Sequence, residues 1–142
     1  IVNTILDWAE KNGSHEIVIL DGVASKTHDG KAFCAAEEDL CRVMESNDIN
    51  MIPQGFITGV AGGLLNECLM RPIQGITLLV KANDKGADPL AAATLLDAVN
   101  RAYGLNINTS DLRKKKKRIG EDFRELSDKY TEHRKIDSNM YM

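Results

Sequence analysis

Ile76-Thr77-Leu78-Leu79-Val80-Lys81-Ala82 is the stretch that decides the fold. A nearly unbroken aliphatic run of this length is the clearest strand in the chain. A second run, Glu16-Ile-Val-Ile-Leu-Asp-Gly22, has four consecutive aliphatics and reads as a strand buried on both faces. After the first run, Asp88-Pro89 marks a helix start: the carboxylate can cap free amides, and proline has no amide to leave unsatisfied. This helix runs to about Tyr103 and stops at Gly104. Its apolar residues, Leu90, Ala91, Leu95, Leu96, Ala98 and Val99 among them, cover most of the circumference. Contact on two sides is therefore expected.

Upstream, residues 1–12 form an amphipathic helix pattern with Val2, Ile5, Leu6, Trp8 and Ala9 on its apolar stripe and Asn12-Gly13 as its stop. The sequence opens with Ile1 inside that pattern, which implies further sequence before it. Residues 23–32 are polar and read as a loop, and residues 33–47 read as a helix with Leu40, Val43 and Met44 inward. A short strand follows from Ile49 to Ile52, ending at Pro53. Gln54 to Cys68 is a Gly-rich turn feeding a helix of small residues. Strand and helix alternate, which predicts an α/β sandwich. Three strands make a small sheet and point again to strands upstream.

The chain has 142 residues, enough for one domain and too few for two ordinary ones. With 43% hydrophobic and 27% charged residues the composition is globular, and 5% aromatics make the core mostly aliphatic. No run reaches the roughly 18 apolar residues of a membrane helix, so no membrane role is expected. The net charge of −3 weighs against general nucleic-acid binding. The charge is uneven: residues 111–135 carry +4 and the remainder −7. Three cysteines, Cys34, Cys41 and Cys68, do not suggest a disulfide framework, and reduced cysteines acting as small hydrophobes fit a cytoplasmic protein. Cys34 and Cys41, seven apart, would share a helix face, but His15, His28 and His133 are scattered and no metal spacing emerges.

From Thr109 to Lys135 a long helix is expected, capped by Thr109 or Ser110 and weakened mid-way by Gly120. Leu112, Ile119, Phe123, Leu126, Tyr130 and His133 form its apolar seam, suited to docking on its own domain or to contact between subunits. The chain thus divides into an α/β domain over 1–108, a C-terminal helix over 109–135 and a flexible tail over 136–142. Arg113-Lys114-Lys115-Lys116-Lys117-Arg118 is a run of six positive charges without interleaved aromatics. A solvated helix start is its plainest reading, a patch for an acidic partner the next, and nucleic acid the least supported.

Gly55, Gly59, Gly62 and Gly63 lie where backbone amides can converge on an anion. Their spacing is neither G-x-G-x-x-G nor G-x-x-x-x-G-K-[ST], and close packing explains them more simply. An enzyme reading would place an anion at Gly55 to Gly63 with Asp21 near it, as strand ends in open α/β sheets gather ligands. Thr58 and Ser25 lack a G-x-S-x-G setting, and His28 beside Asp29 is a weak base candidate. Asn66 and Glu67 are better suited to capping or pairing than to catalysis. The chain ends on Met140-Tyr141-Met142, an apolar side chain, an aromatic with a polar tip and a free carboxylate. A pocket with a lysine and an apolar wall could capture such an end.

The runs Gly55-Phe-Ile-Thr-Gly-Val-Ala-Gly-Gly-Leu-Leu65, Ile76 to Ala82, Asp88 to Ala98 and Tyr103-Gly-Leu-Asn-Ile-Asn108, in that order, resemble the archaeal branch of the proteasome assembly chaperone 2 family. The resemblance covers roughly residues 1–112. It implies a three-layer α/β/α fold of the phosphorylase/hydrolase-like class, with further strands in a longer N-terminal region. It also implies a non-catalytic protein without cofactor that works as a homo-oligomer or paired with a family member. Some archaeal members end in a hydrophobic-Tyr-any tail that inserts between α-subunits of the proteasome core particle, and Met140, Tyr141 and Met142 match that pattern. The alternative implied by the fold class is a phosphorylase- or hydrolase-like enzyme with its anion site at the Gly-rich turn.

Overall fold

The computed structural model describes residues 1–115 and 124–125. In chain order the elements are α1 (Val2–Lys11), β1 (Glu16–Ala24), β2 (Ala32–Ala36), α2 (Glu38–Glu45), β3 (Asn50–Met51), α3 (Gly59–Cys68), β4 (Gln74–Ala82) and α4 (Pro89–Tyr103). The aliphatic run at 76–82 becomes the interior of the sheet, whose strand order is β1-β4-β2-β3. Residues 75–80 of β4 are buried without interruption, as expected of a strand covered on both faces. β1 lies parallel to it from Glu16↔Gln74 to Ala24↔Ala82, β2 runs antiparallel on its other side, and β3 pairs parallel with β2.

Helices cover both faces, giving the expected three-layer α/β/α architecture. On one face Ile76 and Leu78 of β4 and Cys34 of β2 pack with Cys41 and Met44 of α2 and Ala98 of α4. On the other, Ile17 and Ile19 of β1 pack with Leu6 and Ala9 of α1, Leu64 and Cys68 of α3, and Ile73. Arg71, just past α3, fastens that layer: its guanidinium donates to Asp7 Oδ1 at 2.6 Å and to Asn3 Oδ1 at 3.1 Å of α1. Glu67 of α3 lies 3.9 Å from the same guanidinium, so it pairs as expected. α4 starts as read, with Asp88 Oδ1 accepting from the Leu90 and Ala91 amides at 3.2 and 3.1 Å, and ends at a left-handed Gly104.

Several expectations change, and Val43 of α2 and Trp8 of α1, expected on inward apolar faces, are exposed. The loop expected over 23–32 begins later, because β1 continues through Ala24 alongside β4. The helix expected over 33–47 is two elements: 32–36 is a strand and only Glu38–Glu45 is helical. Ala-Phe-Cys-Ala-Ala has little intrinsic strand preference; pairing with β4 and β3 on its two sides imposes the extended form. Cys34 therefore points from a strand and Cys41 from a helix, and they do not share a helix face. Finally, the side chain that accepts from the first turn after residue 108 is Asn108, bound by the Ser110 amide at 2.9 Å, while Thr109 donates to Asp97 of α4.

Candidate functional site

At the Gly-rich turn, the geometry explains the glycines by contact. A Cβ on Gly62 would sit 2.3 Å from the Ile57 carbonyl oxygen, and one on Gly63 would sit 2.9 Å from Val2 Cγ2 of α1. Gly63 thus lets α3 lie close on α1. Gly55 lies under Ile52, at 3.2 Å from where its Cβ would be, and Gly59 opens α3 with φ +67°. Asp21 and Thr58 do meet here, at a shallow hollow of about 220 Å³ whose other side chains are apolar, with Ile52, Phe56 and Leu79 among them. The Asp21 carboxylate accepts from the neighbouring Gly22 amide at 2.8 Å.

Ser25 and His28 lie elsewhere, in a larger cavity of about 500 Å³ where the loops after β1 and β4 diverge. This cavity was not anticipated, although the rule that ligands gather at the carboxyl ends of parallel strands points to it. Its walls are fixed locally. His28 Nδ1 is 3.0 Å from the Lys81 carbonyl oxygen, which can only accept, so the ring carries its hydrogen on Nδ1. Ser25 Oγ donates to the Thr27 carbonyl, and Asp88 accepts from the Asn83 amide as well as capping α4. Burial alone would raise the Asp88 carboxyl, but the amides of Ala91, Asn83 and Leu90 outweigh it and hold the group below the usual carboxylate range. Asp29 is turned to Lys81 Nζ at 2.9 Å, not to His28, and that bond lowers its pKa. Ser25, His28 and Asp29 therefore form no relay, and Asp21 and Thr58 face a different hollow.

All three cysteines are buried as free thiols. Burial, reinforced by the Cys41 thiol beside it, pushes the Cys34 thiol up to about 12, which leaves no nucleophile there. Among the described residues no group of three or more His, Cys, Asp or Glu side chains is arranged to hold a metal ion. No described helix is long and apolar enough to cross a membrane.

Of the basic run, Arg113, Lys114 and Lys115 are described, and residues 110–115 are helical. Arg113 forms an ion pair with Asp97 of α4, which also accepts from Thr109, so the segment is anchored on the body at its start, while Lys114 lies 3.8 Å from Asp111 within the segment itself. Lys116, Lys117 and Arg118 lie outside the described residues, as do the seam from Ile119 to His133, apart from 124–125, and the tail Met140, Tyr141 and Met142.

The pattern of this chain matches the PAC2 family model over residues 1–127. This chain belongs to the PAC2 family. Its fold is that of Pyrococcus furiosus PbaA, an archaeal homolog of proteasome-assembly chaperone, with a TM-score of 0.87 and 24% identity over 99% of this chain and 60% of PbaA. It is similar to Pyrococcus furiosus PbaB, an archaeal proteasome activator, with a TM-score of 0.77 and 28% identity over 89% of this chain and 56% of PbaB. An uncharacterized protein of Methanocaldococcus jannaschii is 25% identical over 133 residues, 91% of this chain and 56% of that protein. The PAC2-family chain thus spans less than two thirds of the length of each of these relatives.

Proposed function

We propose that the chain is a proteasome-assembly-chaperone-like protein that binds the α-ring of the core particle through Met140-Tyr141-Met142 and makes or breaks no covalent bond. The observation that carries this reading is the likeness to PbaB, an archaeal proteasome activator, in a chain that ends on hydrophobic-Tyr-any. The α/β body supports it by offering little chemistry: its Gly-rich turn is occupied by packing contacts, its cysteines are buried, and the Cys34 thiol is pushed up to about 12. The tail would lay its Met and Tyr side chains against an apolar wall and its carboxylate against a lysine. Three side chains bury little surface, so useful affinity requires several tails on one oligomer, each raising the effective concentration of the next. The basic segment from Arg113 to Arg118 would steer the body toward an acidic surface, and the protein would act in the cytoplasm where core particles assemble.

The test is capture of purified core particle by the tagged chain, with and without Met140 to Met142, and with one residue added after Met142. Both changes are expected to abolish capture while leaving the melting temperature unchanged. Capture that survives both changes removes the tail from the mechanism.

A further inference from the structure

Asn12-Gly13, the one Asn-Gly pair in the sequence, does more than stop α1. It builds the cap of that helix. Asn12 sits at φ −94° and ψ 10°, and Gly13 at φ +74°, in the left-handed region that favours glycine. The Gly13 amide donates to the Glu10 carbonyl at 2.9 Å and the Ser14 amide to the Ala9 carbonyl at 3.0 Å, the two bonds of a Schellman cap. The Asn12 side chain is held too, its Nδ2 donating to the Trp8 carbonyl at 2.7 Å. An Asn-Gly pair is also chemically labile. The glycine nitrogen can attack the preceding side-chain amide, because glycine has no Cβ to crowd the approach.

The cap blocks that attack. The five-membered ring closes only when Cβ of residue 12 and the Gly13 nitrogen are eclipsed across the Cα–C bond. At ψ 10° the backbone nitrogen of Asn12 occupies the eclipsed position, and Cβ stands about a third of a turn away. The hydrogen that the Gly13 nitrogen must lose is engaged by Glu10, and the Asn12 amide is tied to Trp8. We propose that residue 12 is a chemical modification site gated by α1: Asn12 deamidates when the last turn of the helix opens, and the product keeps that turn from closing. In the open turn the Gly13 nitrogen gives its hydrogen to a base in solution and bonds to Cγ of Asn12. The bond from Cγ to Nδ2 breaks and ammonia leaves. Water then opens the cyclic imide at either carbonyl, giving aspartate or, with the chain rerouted through the side chain, isoaspartate. Aspartate has lost the donor to Trp8 and puts a negative charge at the negative end of the helix dipole. Isoaspartate adds a backbone carbon between the two cap bonds. The disturbance reaches the core, since Ala9, whose carbonyl accepts from Ser14, is buried with Leu6 against Leu64 and Cys68 of α3. The modification thus records, irreversibly, how long α1 has been open.

The experiment incubates the full chain in mildly alkaline buffer, native or unfolded in urea, and follows the mass gain of the peptide spanning residue 12. The native chain is expected to convert at least about tenfold more slowly than the unfolded one, by a factor that matches hydrogen-exchange protection of the Gly13 and Ser14 amides. Leu6→Ala, which loosens α1 from α3, brings the native rate toward the unfolded one; the exchange comparison supplies the same test on the unaltered chain. Asn12→Asp, standing for the product, lowers the urea midpoint by about 0.5 M and speeds exchange at Gly13 and Ser14. Equal conversion in native and unfolded chains shows that the cap does not gate the site and overturns the inference. So does an Asn12→Asp protein whose midpoint and exchange match the parent's.

Discussion

Gly62→Ala sets two effects of opposite sign against each other. In a helix interior, alanine is favoured over glycine by about 1 kcal/mol, and Gly62 lies inside α3 with its amide bonded to the Thr58 carbonyl. The added Cβ would lie 2.3 Å from the Ile57 carbonyl oxygen, whereas ordinary contact begins near 3.4 Å, so α3 and residue 57 must part by about 1 Å. Because the obstacle is backbone, no rotamer change relieves it. Overpacking of this kind costs about 1–3 kcal/mol, and a backbone clash belongs at the upper end. The clash prevails, and the net loss is about 2 kcal/mol, or about 1 M in the urea midpoint at a slope near 2 kcal/mol per molar. The assay is urea unfolding followed by helical circular dichroism, with Gly63→Ala as comparison. At Gly63 the neighbour is the Val2 side chain near the start of α1, which can turn away, so its loss should be smaller. A Gly62→Ala protein as stable as the parent, or more so, would refute the packing explanation of the turn. The glycines would then need another purpose, such as leaving amides open to an anion.

Thr77 is fully buried and its hydroxyl has no hydrogen-bond partner among the described residues, so Thr77→Val should raise stability by about 1 kcal/mol, read as a higher urea midpoint. Asp88 is held below the usual carboxylate range, so its contribution is complete above about pH 4 and is lost as pH falls through its depressed value. Asp88→Asn keeps a capping oxygen, and its melting temperature should fall less steeply between pH 4 and 2 than the parent's. With its thiol near 12, only about one Cys34 in ten thousand is ionised at pH 8, so iodoacetamide should label it in the native protein only at the rate of opening. Rapid labelling, followed by mass spectrometry, would contradict the buried setting.

The elements legible in the sequence are those whose signals are local. The Asp88-Pro89 start and Gly104 stop of α4 need only their own neighbours, and both are seen. The runs in β1 and β4 announce themselves by composition, and both pair as strands. β2 could not be read this way: Ala32 to Ala36 carries no strand signal of its own, and its extended form comes from partners more than ten positions away on either side. The capping role of Asn108 was hidden for a similar reason, since Thr109 is drawn off by Asp97 from the preceding helix. The large cavity escaped because its wall is assembled from two loops separated by about fifty residues. The tripeptide Met140-Tyr141-Met142, which the sequence singles out as an anchor, lies outside the described residues.

The pairing of β1 with β4 has a consequence for synthesis. Glu16 leaves the ribosome 58 positions before Gln74, its partner in the register. At about 5–20 residues per second, the aliphatic β1 waits several seconds for β4 to emerge. Nascent chains clustered on one message would carry that sticky ribbon side by side. Slowing translation beyond Gly22 should therefore lower the soluble yield, and speeding it should raise it.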